Sequence, residues 1–565
     1  MAEMARGESS HVWDRGYPSN VDWRAPIETK PVFQVLDETV RRFPDTTAAD
    51  FMGKTWTYRQ LGEFVDRAAK GFQAIGIGKG TKVGLFLPNT PYFVIAYFAA
   101  LKAGATVVNF NPLYADREIR HQIDDSGTEV MVTLDLKVLY DKLTPMLTGT
   151  TLRKIIVAPM AGILPFPKNW LFPLLKHRDR AHGIPRDDRH VRWKDLVGND
   201  GRFRPVDIDL NDVAVLQYTG GTTGTPKGAM LTHANVSANI HQAALWFDGA
   251  EEGGETMMGV LPFFHVFAMT VVMLLSVRIA ARIVMMPRFD LVECLKLIQQ
   301  KRATLFPAVP TIYTAINNHP NVSQYDLTSL RFCISGGAAL PVEAKSTFET
   351  RTGCKLVEGY GLTESSPIAC ANPLFGVNKP GSIGLPLPGT EVHIISLEDG
   401  RTSMPMGERG EVCLRGPQIM TGYLGREDET ASTLVDGLLH TGDVGYLDED
   451  GYTFIVDRIK DLIIAGGYNV YPRTVEEAIY LHPAVSEVVV AGLPDPYRGQ
   501  TVKAYIKLGE GESLTAEDLK VFLKDKLSPI EMPKQIEFRD ELPKTMIGKL
   551  NRKALVEEEA AKVSS

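Results

Sequence analysis

The chain has 565 residues, more than the roughly 250–300 that one hydrophobic core organises, so two or more domains are expected. Hydrophobic residues at 44% and charged residues at 23% are ordinary globular values and exclude a disordered chain or a coiled coil. Lys and Arg total 61 against 68 Asp and Glu, and the resulting charge of −7 supplies no field to hold nucleic acid. The five cysteines, Cys294, Cys333, Cys354, Cys370 and Cys413, are odd in number and never in C-x-x-C spacing. That argues against a disulfide framework or a zinc site and fits a reducing cytoplasm. The first stretch of chain, with Glu3, Glu8, Asp14, Gly16 and Pro18, lacks the apolar core of a signal peptide, so a cytoplasmic location is expected.

In chain order, short β-branched runs predict strands at 83–87, 106–110, 130–133, 213–216, 303–306 and 331–335, alternating with helical patterns such as 58–74 and 90–102. The fold class is therefore α/β. The segment 161–194 stands apart. Apolar Ile163, Leu164, Phe166, Trp170, Leu171, Phe172, Leu174 and Leu175 run into Lys176, Arg178, Arg180, Arg186, Arg189 and Arg192, with Asp179, Asp187 and Asp188 diluting the positive charge. Apolar residues beside a basic cluster suit the surface of an anionic bilayer, and an ordinary surface insertion explains them equally well. The uncharged stretch 256–277 is long enough to span a bilayer, but Gly259, Pro262 and His265 interrupt it, and a buried core segment is expected instead. After Gly389 the texture changes to short strands with Gly and Asp turns, at 391–395, 410–414 and 451–456, which predicts a smaller β-rich layer. The charged segment 457–461 is the expected hinge, followed by a compact α+β domain.

Residues 218–228 read Tyr-Thr-Gly-Gly-Thr-Thr-Gly-Thr-Pro-Lys-Gly. Glycines Gly220, Gly221 and Gly224 bring backbone N–H groups close to an anion, and Thr219, Thr222, Thr223 and Lys227 add donors and a positive charge. This is a phosphate grip, but Lys227 follows Pro226 and precedes Gly228, so the Walker A pattern is not met. Further segments have the look of a nucleotide site: Gly336-Gly337-Ala338, Gly359-Tyr360-Gly361-Leu362-Thr363-Glu364, Thr441-Gly442-Asp443, Asp457-Arg458-Ile459-Lys460-Asp461, and Pro543 to Lys549.

In order and spacing these segments resemble the adenylate-forming enzymes: acyl-CoA synthetases, the adenylation domains of peptide synthetases, and beetle luciferases. The resemblance covers about 33–553 and is nearest to bacterial long-chain fatty acyl-CoA ligases, through the Tyr218 loop, Leu438-Leu439-His440-Thr441-Gly442-Asp443, and Gly467-Tyr468-Asn469-Val470-Tyr471-Pro472. Leu438 stands where that pattern usually has Trp. The resemblance implies a large N-terminal domain over 1–459 that binds ATP and the acyl group, and a small mobile C-terminal domain over 460–565 turning at Lys460. It implies ATP-dependent conversion of a fatty acid to acyl-CoA through an acyl-adenylate, with Mg²⁺ and coenzyme A. An aryl or medium-chain ligase and a fatty acyl-AMP ligase loading a carrier protein are the alternatives.

By the same resemblance, Lys549 reaches the carboxylate and α-phosphate, while Lys227 and the loop threonines hold the β- and γ-phosphates. Glu364 holds Mg²⁺, a hard cation suited to a carboxylate plus phosphate oxygens. Tyr360 stacks on adenine beside Gly336, Gly337 and Ala338, with Gly359, Gly361 and Thr363 in the same loop. Asp443 accepts from the ribose hydroxyls and Arg458 supports the sugar. His265 lies where the acyl and pantetheine tunnels meet, and Gly466, Gly467 and Tyr468 approach coenzyme A. Met269, Val272, Met273 and Leu275 either line an alkyl tunnel or pack as plain core.

Overall fold

The structure, a computed structural model, describes residues 11–219, 226–465, 468–495, 499–545 and 550–564. The phosphate-loop residues Gly220, Gly221, Thr222, Thr223 and Gly224, the pair Gly466 and Gly467, and Lys549 lie outside the described residues. The rest falls into two compact units. The larger comprises Tyr17–Glu391 and Arg415–Leu439; the smaller comprises, of the described residues, 11–16, 392–414 and 440–564.

Two mixed sheets organise the larger unit. In the first, the strands His190–Arg192, Lys154–Ala158, Val130–Leu134, Lys82–Leu85, Thr106–Asn109 and Val213–Thr219 lie side by side in parallel, and Lys227–Thr232 closes the edge antiparallel. Most positions of the central strands are buried, as expected of strands covered on both faces, which is why they read as continuous apolar runs rather than alternating ones. The helix Tyr58–Ala74 starts at the expected residue because Thr57 accepts from Gln60 N–H while Gln60 Oε1 accepts from Thr57 N–H, a reciprocal cap. Pro91 opens the next helix, Pro91–Lys102, whose every residue is buried.

The second sheet runs, among the described residues, in the order Leu385–Pro386, Ile368–Ala371, Lys355–Gly361, Phe332–Gly336, Leu305–Ala308, Thr256–Gly259, Arg282–Met285, Thr47–Phe51 and Lys54–Thr57. The uncharged stretch 256–277 supplies one of its strands and then a π-helical segment, Ala268–Leu274, with every residue of both buried. The core reading of that stretch holds, and no helix among the described residues is long and apolar enough to cross a membrane.

The β-rich layer, most of whose residues belong to the smaller unit, is present as Glu391–Ile395, Gly410–Arg415, Leu438–Leu447 and Thr453–Arg458. The last strand starts two residues later than expected because Gly451, at φ +83°, completes a turn in which its N–H reaches Asp448 O. The hinge candidate is a single 3₁₀ turn, Ile459–Asp461, between that strand and Ile463–Ala465. Beyond it, Tyr468–Val470, Ile463–Ala465, Gly499–Leu508 and Val485–Asp495 form a second sheet, with Gln535–Phe538 paired in parallel to Gly499–Leu508. Its core joins Val470, Val475 and Ile479 to Val488, Val490, Val502, Leu519 and Leu523.

The segment 161–194 is anchored at both ends and bare between them, its last residues forming the strand His190–Arg192 and the buried Trp193. Ile163 and Leu164 are buried, and Arg180 pairs with the buried Asp135 at 3.0 Å. Between them the helix Lys168–Leu175 has no buried residue, and Phe166, Trp170, Leu174 and Leu175 are 85%, 68%, 65% and 76% exposed.

Candidate active site

The strands Val213–Thr219 and Lys227–Thr232 form a hairpin whose register sets Thr219 opposite Lys227 and Tyr218 opposite Gly228. The two ends of the phosphate loop are therefore held as a facing pair. A side chain at Gly228 would press against the Tyr218 ring at 3.1 Å, so glycine admits the ring. Burial and the Asp125 carboxylate push the Tyr218 phenol well up, so it keeps its proton and donates a hydrogen bond to Asp125 Oδ2 at 2.6 Å. Arg426 takes the other oxygen of Asp125 at 2.8 Å. This pins the root of the hairpin to two distant stretches of chain.

Lys227 itself lies 3.6 Å from Glu429 and 5.3 Å over the ring of Tyr423. Tyr423 is bridged to the same hairpin through Ala229 and donates its hydroxyl to Glu364 Oε1 at 2.6 Å. Burial, and then Glu364, raise the Tyr423 phenol so that it remains protonated. Glu364 sits in the turn Thr363–Ser365, and its carbonyl accepts Met420 N–H at 2.8 Å. The structure thus brings Lys227, Glu364 and Thr219 to one region. It adds Tyr423, Arg426, Glu429 and Asp125, which the sequence reading missed; no motif marks them.

The glycine-rich loops are tight. Gly336 and Gly359 are register partners on adjacent parallel strands, and a Cβ on Gly336 would meet the Phe267 ring at 3.1 Å. Gly337 has φ +84°, and Ala338 beside it is exposed. A Cβ at Gly361 would lie 1.9 Å from Pro367 O, so the backbone there leaves no room for a side chain. Tyr360 is half-buried, opposite Cys370 on the antiparallel neighbour. His265 stands just ahead of the π-helical segment, and Phe267 N–H donates to its Nδ1 at 3.3 Å. Below it, Gln217 spans Asn109 and Phe264 O. Met269, Val272, Met273 and Leu275 are fully buried. All five cysteines are buried, and burial pushes the Cys294 and Cys413 thiols up, so neither is an activated nucleophile.

In the smaller unit, Asp443 and Arg458 are cross-strand partners joined at 2.9 Å, with the Asp443 side chain almost wholly buried and Arg458 half exposed. Lys460 is exposed, and partial desolvation, then Arg458, holds its ammonium below the ordinary lysine value. It lines a groove of about 680 Å³ with Glu411, Leu462, Asn469 and Gln500. Tyr468 is exposed at the start of its strand.

With this geometry in view, residues 36–424 match the model of the AMP-binding enzyme family and residues 474–549 that of the AMP-binding enzyme C-terminal domain. The chain belongs to the AMP-binding enzyme family. This AMP-binding enzyme is 45% identical over 556 residues to a long-chain-fatty-acid–CoA ligase of Bacillus subtilis, covering 98% of this chain and 99% of that protein. It is 36% identical to a long-chain-fatty-acid–CoA ligase of Escherichia coli, covering 98% and 99%. It is 35% identical to a feruloyl-CoA synthase of an Amycolatopsis species, covering 90% and 95%. Among solved structures, the ATP-bound MatB of Rhodopseudomonas palustris is similar with a TM-score of 0.83 at 26% identity, covering 94% of this chain and 99% of that one.

Proposed function

We propose that this AMP-binding enzyme is an AMP-forming long-chain fatty acyl-CoA ligase. In the first step a fatty-acid carboxylate oxygen attacks the α-phosphorus of ATP, pyrophosphate leaves, and an acyl-adenylate forms. In the second, the thiolate of coenzyme A attacks the acyl carbon and AMP leaves. The observation that carries the nucleotide half of this reading is the hairpin pairing of Thr219 with Lys227 beside the Tyr423-anchored Glu364. The long-chain half is supported by the full-length likeness to ligases of that name.

The chain's residues divide the work. Thr219, Lys227 and the loop between them hold the β- and γ-phosphates, and Lys549 meets the charge that develops between carboxylate and α-phosphate. Gly336, Gly337, Ala338 and Tyr360 receive the base, with Gly359, Gly361 and Thr363 shaping that loop. Asp443 takes the ribose hydroxyls while Arg458 orients it. Glu364 offers oxygen ligands of the kind a hard cation selects, so it fits Mg²⁺, which when bound would neutralise phosphate charge. Tyr423 fixes the carboxylate that would hold it. His265 guards the junction of acyl and thiol paths. Lys460 is the hinge between domains 1–459 and 460–565, and Gly466, Gly467 and Tyr468 meet the pantetheine arm.

Mass spectrometry of products from the purified protein with Mg²⁺, ATP, coenzyme A and acids from short aromatic to long alkyl tests this. Palmitoyl-CoA with AMP is expected. An aromatic thioester would instead favour the second reading, an aryl-CoA ligase, which the feruloyl-CoA synthase likeness supports. Adenylate without thioester would point to a carrier-protein acceptor.

We further propose peripheral membrane attachment through the segment 161–194. The helix Lys168–Leu175 exposes Trp170, Leu174 and Leu175 beside Phe166, and Lys168, Lys176 and Arg178 flank them, with Lys176 paired to Asp179 at 3.1 Å. Exposed apolar area ringed by cations matches an anionic bilayer surface. Phe166→Ser with Trp170→Ser should abolish sedimentation with phosphatidylglycerol vesicles; unchanged sedimentation would rule this surface out.

A further inference from the structure

The turn that delivers Asp443 is held by a side chain that the roles above leave unused. Glu411, on the strand Gly410–Arg415, places both carboxylate oxygens on the residues just ahead of Asp443. Its Oε1 accepts Gly442 N–H at 2.8 Å, and its Oε2 lies 2.7 Å from His440 Nδ1. A second tie runs alongside: the Thr441 hydroxyl donates to Val412 O at 2.6 Å and accepts Asp443 N–H at 3.1 Å. Gly442 sits at φ +74°, a left-handed conformation. Both Glu411 and His440 are largely buried, with 12% and 13% of their side chains exposed. Cys413 brings a third potential ligand atom within 4.8 Å of theirs, but the two carboxylate oxygens and the His440 nitrogen are already engaged with one another and with the turn. The group is a hydrogen-bonded clamp.

We propose that Glu411 is a positioning residue for nucleotide recognition: it fixes the 440–442 turn so that the Asp443 carboxylate presents its oxygens to the vicinal hydroxyls of the ATP ribose. The inference rests on the ribose role of Asp443. Recognition of a diol by one carboxylate is bidentate and tolerates little displacement, and misplacement of a positioned group by about 1 Å costs on the order of 10²-fold in rate. Arg458 restrains the Asp443 side chain from one side at 2.9 Å, and the clamp restrains its backbone from the other. A loosened turn leaves the carboxylate buried but misdirected.

The test compares kcat/KM for ATP with that for 2′,3′-dideoxy-ATP, which has nothing for Asp443 to hold. Glu411→Ala should lower the preference for ATP by about tenfold or more while leaving dideoxy-ATP within about twofold of wild type. Glu411→Gln, which keeps an acceptor for Gly442 N–H, should retain most of the preference. Asp443→Ala should remove it. Equal losses on both nucleotides in Glu411→Ala would mean a merely structural role, and an unchanged preference would exclude any role; either overturns the proposal. Should Glu411→Ala not fold, Thr441→Val removes the parallel tie and must also lower the preference; an unchanged value overturns the clamp. A preference that survives Asp443→Ala would overturn the ribose reading itself, whereas its loss there and persistence in Glu411→Ala would sink only the clamp.

Discussion

Arg552 is the cation on which the hinge-side carboxylates of the smaller unit depend, and Arg552→Met tests that dependence. Its guanidinium meets Asp461 at 2.7 Å and Glu476 at 2.8 Å, with Asp457 at 3.9 Å. Burial already raises the Asp457 and Glu476 carboxyls above their ordinary values. Removing one partner of a buried pair costs about 3–5 kcal/mol, because the remaining charge stays buried and uncompensated. With 22% of its side chain exposed, Arg552 belongs at the lower end, about 3 kcal/mol. That corresponds to about 10²-fold faster amide exchange in Pro472–Tyr480 and Val485–Asp495, measured by hydrogen exchange because a chain of this size does not unfold in one step. The sign with pH follows from the carboxylates. A carboxyl whose folded pKa lies above its unfolded value binds more protons in the folded state, so stability rises as pH falls through the window between them. Without Arg552 that window widens, and the deficit at pH 7 should shrink towards pH 5. Adding Glu476→Gln should recover part of it. Unchanged protection, or a deficit independent of pH, would refute the reasoning.

Lys227→Met should slow ATP–pyrophosphate exchange by roughly 10²-fold, as for loss of one electrostatic contact to a reacting phosphate, with circular dichroism unchanged. Gly361→Ala sets a Cβ 1.9 Å from Pro367 O and should either lower expression of soluble protein or abolish nucleotide binding, read by thermal shift with and without ATP. Tyr218→Phe removes a charge-assisted bond to Asp125 and should cost about 1.5–3 kcal/mol of local stability at the hairpin, seen as faster exchange of the Lys227–Thr232 amides.

The strands of the larger unit were legible because burial on both faces makes them continuous apolar runs; Val130–Leu134 and Phe332–Gly336 fall within a residue of their predicted ends. Boundaries drifted where a turn residue claims the first position, as Gly451 does before Thr453–Arg458. At the site, the sequence marked groups that sit in motifs, such as Lys227 and Glu364. It did not mark Tyr423, Glu429 or Asp125, whose significance is created by packing: a tyrosine, a glutamate and an aspartate in ordinary surroundings become partners only when segments far apart in the chain are brought together. Glu411 lay unnoticed in a strand correctly located, because its value lies in which backbone N–H it faces.

That dispersal bears on the order in which the protein matures. The links that root the phosphate-loop hairpin join positions 93 residues apart between Asp125 and Tyr218, 59 between Glu364 and Tyr423, and 301 between Asp125 and Arg426. Closing loops of such length is slow compared with forming local helices and hairpins. Competence to bind ATP should therefore emerge late in refolding, after most secondary structure has formed, so that a fluorescent nucleotide reports on completion of the native topology rather than on collapse.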